Sequence, residues 1–451
     1  MAQSHAHVDP AEAVQGLDAR RLAWAVVSDV LRRRAALDEV IESSAAHAQL
    51  PARDAALARA IATVTFRHLG SIRRALSARL SKGLQPDERL FTLLATGAAQ
   101  ILFLDVADHA AVDLSVRLAR GERLQHAAGM VNAVLRRIAR ERAMILAEAD
   151  PLDSDTPDWL AARWRKTYGL QKARAIADAQ STAASVDLTM KADPETWAER
   201  LGGIVLPTGS VRLTERTPVR ELAGYDEGAW WVQDAAAALP ARLLAARPGE
   251  RVIDLCAAPG GKTAQLASAG AEVLAVDRSA KRLQRLQENM KRLRLAVEVR
   301  VADALHFDEP PADGVLLDAP CSATGTIRRH PDIAWTKRPE DVAKLADLQR
   351  RLLDKAATLV RPGGRLIYCT CSLEPEEGEG QIEAFLARQP LFSRLAIESG
   401  EIGGLSEVLD ARGDVRTLPC HLAELGTGHA GMDGFYVARL VRRADEPAPA
   451  H

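Results

Sequence analysis

The sequence predicts a multidomain fold: an all-α bundle in front, a small α+β connector, and a C-terminal α/β domain on a mostly parallel, doubly wound sheet of seven strands. Three observations predict it. Apolar residues in the first third recur at helical spacing, as Leu22, Val26, Val27, Val30 and Leu31 do. The last half repeats strand, turn and helix, the order that builds parallel sheets. Its first strand runs into Asp254-Leu-Cys-Ala-Ala-Pro-Gly-Gly-Lys-Thr, a strand-to-helix turn of the kind at which open α/β sheets bind ligands. A chain of 451 residues suits two or three domains, and 47% apolar content suffices for their cores.

Residues 1–13 are polar and expected to be disordered. Across 14–146 the helical stripes continue through 57–69, 90–104 and 130–146 with few β-branched clusters, which makes this segment a helical bundle. Residues 18–140 carry 19 Lys plus Arg, all but one of them Arg, against 12 Asp plus Glu. Guanidinium forks suit phosphates and base edges, so the bundle is the expected RNA face; solvated helix faces in an Arg-rich chain would give the same count. The connector, 147–227, mixes signals. Asp155-Thr-Pro-Asp-Trp opens a helix with Pro in its first turn, 185–190 alternates as a strand, 194–201 reads as helix and 203–206 as strand. In the domain spanning 228–442, strands are expected at 251–255, 272–277, 297–302, 314–317, 365–369 and 434–440. The tail, 443–451, is expected to be disordered.

The five cysteines form no paired framework and no CxxC unit, which points to a reducing compartment and away from disulfides or a metal site. The first residues have no basic-then-apolar signal pattern, and no apolar run reaches the roughly 18 residues of a membrane span. A cytoplasmic monomer without membrane or metal is expected.

The glycine turn resembles a phosphate loop only at Gly261-Lys262-Thr263. That loop also requires glycine at 256, where this chain has Cys256, so ATP and GTP are disfavoured. The dinucleotide fingerprint fails too, because Ala257-Ala258-Pro259-Gly260-Gly261 lacks its spaced glycines. What remains is a loop whose backbone can approach a nucleoside closely. Asp277 ends the second strand, where an acid can accept ribose hydroxyls, and Asp303 ends the third, where it can face an adenine amino group. Lys262 can contact a cofactor carboxylate or RNA, or be a solvated helix-start lysine. Two thiols complete the pattern: Cys321 in Asp318-Ala-Pro-Cys-Ser and Cys371 in Thr370-Cys-Ser. A cofactor loop followed by two strand-end thiols suits methyl transfer to a carbon that needs covalent activation, such as carbon 5 of cytosine. A thiolate adds at carbon 6, the resulting enamine takes the methyl group, and a base then removes the carbon-5 proton. Asp318 is placed to partner ring nitrogen 3. Spacing alone leaves open which thiol attacks.

These runs, with Arg328-Arg-His-Pro-Asp-Ile-Ala-Trp, resemble the RNA cytosine-5 methyltransferases of the Nol1/Nop2/Sun type, and the helical front resembles the NusB fold, an RNA-binding extension in that family. The resemblance covers about residues 14–442. It implies a Rossmann-like domain dependent on S-adenosylmethionine, held by the loop from Cys256 to Lys262 with Asp277, Asp303 and Asp318. It implies that Cys371 is the nucleophile and that Cys321 assists product release. Arg328 and Arg329, after the Pro-Cys loop, are expected to contact RNA phosphates. The expected substrate is small-subunit ribosomal RNA. A transfer-RNA or large-subunit enzyme, or a non-catalytic RNA-binding assembly factor, are the alternatives.

Overall fold

The computed structural model describes residues 16–80, 87–215, 217–426 and 428–444. The expected disordered start, and the tail from 445 onward, lie outside them. The described chain forms two compact units: residues up to Ser181 together with His330–Lys337, and the remainder.

The first unit is all helical. Its longer helices are α1 (Leu17–Arg33), α2 (Leu37–Ala48), α3 (Ala52–Arg67), α4 (Leu69–Ser77), α5 (Glu88–Phe103), α6 (Asp108–Gly121), α7 (Ala128–Arg140), α8 (Arg142–Ala147) and α9 (Asp158–Ser181). The 3.6-residue stripe buries Leu22, Val26, Val27 and Val30 against Ile61, Phe66, Ile101 and Leu135. Helix α9, read from the sequence as connector, belongs to this unit and breaks at Gly169, whose φ of 78° no helix accommodates. A distant segment is built in as well. Trp335 packs on the bundle core and donates to the Phe66 carbonyl at 2.8 Å, while Asp332 accepts from Leu37 N at 3.0 Å.

The second unit opens with a four-stranded antiparallel sheet made of β1 (Asp187–Met190), α10 (Pro194–Leu201) alongside, β2 (Gly203–Val205), β3 (Val211–Leu213) and β4 (Trp230–Val232), in the order β2-β3-β1-β4. The sequence reading found β1, α10 and β2 but not the two other strands. Each of those has only three residues, too few to show alternation.

Then follow α11 (Leu239–Leu244), β5 (Arg251–Leu255), α12 (Gly261–Ser268), β6 (Glu272–Asp277), α13 (Ala280–Leu293), β7 (Glu298–Val301), β8 (Ala312–Asp318), α14 (Pro339–Thr358), β9 (Val360–Thr370), α15 (Glu379–Arg388), β10 (Phe392–Arg394), β11 (Val415–Thr417) and β12 (Phe435–Arg442). They form a mostly parallel sheet in the order β10-β12-β9-β8-β5-β6-β7, with β11 added on β12. It has eight strands rather than seven because of the three-residue β11. β9, β8, β5, β6 and β7 run parallel, and β12 joins β9 antiparallel. Alternate residues serve opposite faces: Ile253, Val315 and Leu366 pack on Leu353 and Phe385, whereas Val252, Leu316 and Ile367 pack on Leu239 and Leu244. The parallel order leaves the carboxyl ends of β5, β6, β8 and β9 side by side, and the site is built there. No helix among the described residues is long and apolar enough to cross a membrane.

Candidate active site

The chain leaves β5 through Cys256 (φ 61°) and Gly260 (φ 102°), both left-handed, and enters α12 at Gly261. Only glycine fits at 260, since a Cβ there would lie 2.7 Å from Leu286 Cγ. The loop is tied to β6: Ala257 N donates to the Val276 carbonyl at 3.1 Å and Ala258 N to Asp277 Oδ2 at 3.2 Å. Below it, Thr263 Oγ1 donates to Asp254 Oδ2 at 2.6 Å, and burial pushes the Asp254 carboxyl up to about 7. Burial likewise drives the Cys256 thiol up to about 12, so it stays a neutral, small packing group.

Asp318 ends β8 and receives Lys262 Nζ at 2.8 Å. Burial disfavours the Lys262 charge, but the Asp318 carboxylate outweighs it and raises the ammonium above its ordinary range. Lys262 is buried and also sits 5.0 Å over the Phe435 ring, so it is not a solvated helix-start lysine. Cys369 is fully buried behind this pair, 3.5 Å from Asp318 Oδ1, and burial raises its thiol.

The two motif thiols meet. Cys321 Sγ, in the loop after β8, lies 3.4 Å from Cys371 Sγ, just past β9. The contact with Cys371, then burial, raises the Cys321 thiol well above its ordinary value. Cys371 opens onto a cavity of about 460 Å³ lined by Ala257–Lys262, Asp318, Arg329, Trp231, Met290 and Phe435.

A methyltransferase motif set on a helical front part has known counterparts. The model of the 16S rRNA methyltransferase RsmB/F matches residues 241–441, and that of the NusB family matches 17–140. The ribosomal RNA small subunit methyltransferase B of Vibrio cholerae is 35% identical over 419 residues, covering 88% of this chain and 92% of that one. The enzyme of the same name from Shewanella oneidensis is 33% identical over 94% of this chain and 99% of its own. The chain belongs to this family of small-subunit rRNA methyltransferases. Solved structures agree on the fold. The crystal structure of PH0851 superposes with a TM-score of 0.74 at 24% identity, covering 93% of this chain and 98% of that one. NSun6 from Pyrococcus horikoshii with SFG gives 0.53 at 21% identity over 64% of this chain and 99% of its own.

In this family member the structure gathers Ala257, Ala258, Pro259, Gly260, Gly261, Lys262, Asp318, Arg329 and Cys371 around one cavity, with Cys321 behind Cys371. Other residues fall elsewhere. Asp277 is buried, spends its carboxylate on Ala258 N and Ser279 N, and shapes the loop from behind. Asp303 is exposed and accepts from Leu305 N at 3.0 Å beside His306, as a turn residue does. The phosphate role read for Arg328 is corrected: the residue is 1% exposed and its guanidinium donates to Asp234 Oδ2 at 2.8 Å, because an unpaired charge could not be buried there. Arg329 takes the mouth position, its Nε 2.8 Å from Asp433 Oδ2. Sequence reasoning missed Asp234 and Glu377. The one sign of Glu377 was that each motif cysteine is followed by a serine.

Proposed function

We propose that the chain forms 5-methylcytosine in small-subunit ribosomal RNA, with S-adenosylmethionine as methyl donor and with the base attached covalently to Cys371 while it reacts. The observation that carries this reading is the thiol pair, 3.4 Å apart, beside a glycine-floored cavity. The residues present fit the cofactor. Gly260 and Gly261 line the cavity with bare backbone, and about 460 Å³ is within the range of nucleoside-sized ligand sites. Ala257 to Lys262 would hold S-adenosylmethionine, with Asp277 fixing the loop; when bound, it supplies an electrophilic sulfonium methyl group.

The rest is done by the chain. Cys371 adds as a thiol: its sulfur bonds to carbon 6, its proton passes to nitrogen 3, and carbon 5 becomes the nucleophilic end of an enamine. Asp318, paired with Lys262, accepts a hydrogen bond from the nitrogen 3 N–H that this forms. After methylation carbon 5 must lose its proton before the carbon 6–sulfur bond can break. Cys321, held against Cys371, serves this last stage by taking the carbon-5 proton on its sulfur, while the carbon 6–sulfur bond breaks and Cys371 leaves with the electron pair. Arg329 faces the cavity mouth and suits a phosphate of the target strand.

Gel analysis of single cysteine variants tests the reading. Cys371→Ala should abolish methylation and adducts together. Cys321→Ala should add and methylate but not release, accumulating a slow protein–RNA band that depends on S-adenosylmethionine. A band that appears with Cys371→Ala and vanishes with Cys321→Ala would reverse the roles. Full methylation by both variants would refute covalent catalysis.

A further inference from the structure

Ser322 and Ser372, the residues that follow the two cysteines, converge on one carboxylate. Glu377 is fully buried. It accepts from Ser322 N at 2.9 Å, from Ser322 Oγ, from Ser372 Oγ at 2.6 Å and from Gln349 Nε2 at 3.0 Å. Gln349 also donates to the Pro320 carbonyl at 2.9 Å, a second brace on the Cys321 loop. The Glu377 backbone is itself anchored, its carbonyl accepting from Tyr368 Oη at 2.8 Å and Thr370 Oγ1 at 3.1 Å at the end of β9.

A carboxylate offers roughly four acceptor sites, and four donors occupy this one. It therefore has no acceptor left for a substrate proton, and it does not line the cavity. Its two oxygens instead tie the loop after β8 to the loop after β9, one residue beyond each thiol. Charge-assisted bonds in a buried setting are the strong kind. The two loops share further bonds, from Gly325 N to the Cys371 carbonyl at 3.0 Å, from Leu373 N to Thr324 Oγ1 at 3.0 Å and from Thr324 Oγ1 to Glu374 Oε1 at 3.4 Å, but Glu377 is the carboxylate that grips the residue after each thiol at once.

We propose that Glu377 is a positioning residue: by gripping Ser322 and Ser372 it sets the spacing of Cys321 and Cys371. This rests on the reading that the two thiols act in turn on one base, for which their separation must suit both addition and release. Displacements near 1 Å of reacting groups cost on the order of 100-fold in rate.

The test compares Glu377→Ala and Glu377→Gln with the parent protein, with circular dichroism as the folding control. Two readouts are taken. One is kcat and KM for rRNA methylation; the other is affinity for phenylarsine oxide, a trivalent arsenical that bridges two closely spaced thiols. Glu377→Ala should lose on the order of 100-fold in kcat with KM for RNA unchanged. Its arsenical affinity should fall roughly 10-fold or more, since the second arsenic–sulfur bond depends on the local concentration of the second thiol. Glu377→Gln keeps the shape and one acceptor oxygen, so it should fold and show a smaller loss in both readouts. Parent-like arsenical affinity in folded Glu377→Gln and Glu377→Ala would overturn the proposal, even if kcat fell. The arsenical measurement needs no RNA. Failure of the two-thiol chemistry would show separately, as normal turnover by Cys321→Ala, a protein that should not chelate the arsenical at all.

Discussion

Asp254 lies in β5 with its carboxyl buried, Oδ2 accepting from Thr263 and Oδ1 meeting no donor among the described residues. Burial lifts it to about 7, whereas the unfolded chain ionises such a group near 4. The folded protein thus holds a proton that the unfolded chain releases between these values, and this residue makes stability fall as pH rises from about 4 to about 7. Asp254→Asn keeps an acceptor for Thr263 and removes the titration. Its urea midpoints at pH 5 and pH 7.5 should lie closer together than those of the parent; an equal gap would show that Asp254 ionises normally. Arg328 and Arg329 mark the limit of residue-level reading. They are adjacent and identical, yet one is buried on Asp234 and the other lines the cavity. Only the direction in which each side chain leaves the backbone separates them.

Helix α2 starts without a capping side chain of its own: Ala36 precedes it, and the acceptor for Leu37 N is Asp332, far along the chain. A helix end left unsatisfied costs about 1 kcal/mol. Asp332→Ala should lower the stability of the helical unit by about that much in thermal or denaturant melts, and Asp332→Asn, which keeps the oxygen, should not. Equal melting of the Ala variant and the parent would mean that water replaces the cap without loss. At this scale the long elements were legible. The runs that became β5, β6 and β8, and the stripe of α1, carry their period within themselves. β3, β4 and β11 do not, because three residues hold no period and their pairing is decided by the strand they meet.

The helical unit as a whole carries the arginine excess, and phosphate contacts bind by releasing counterions. Removing residues 1–146 should weaken binding to ribosomal RNA and flatten the slope of log affinity against log salt. A truncated protein with the parent slope would assign the unit another role. The same truncation strips Phe66 and the bundle core from Trp335, so the shortened chain should also expose that indole, seen as a red shift of its fluorescence.

The order of amino acids alone determined the fold classes, the glycine turn, and the presence of two thiols and an acid at successive strand ends. These signals are local, a period or a spacing within a few tens of residues. Tertiary structure decided which of them meet. It brought Cys321 within 3.4 Å of Cys371, turned Asp277 behind the loop and Asp303 into solvent, paired Lys262 with Asp318, and placed Glu377 under both cysteine loops. A buried charge must find its partner wherever the packed chain supplies one, and here the partners lie on different elements, dozens of residues apart.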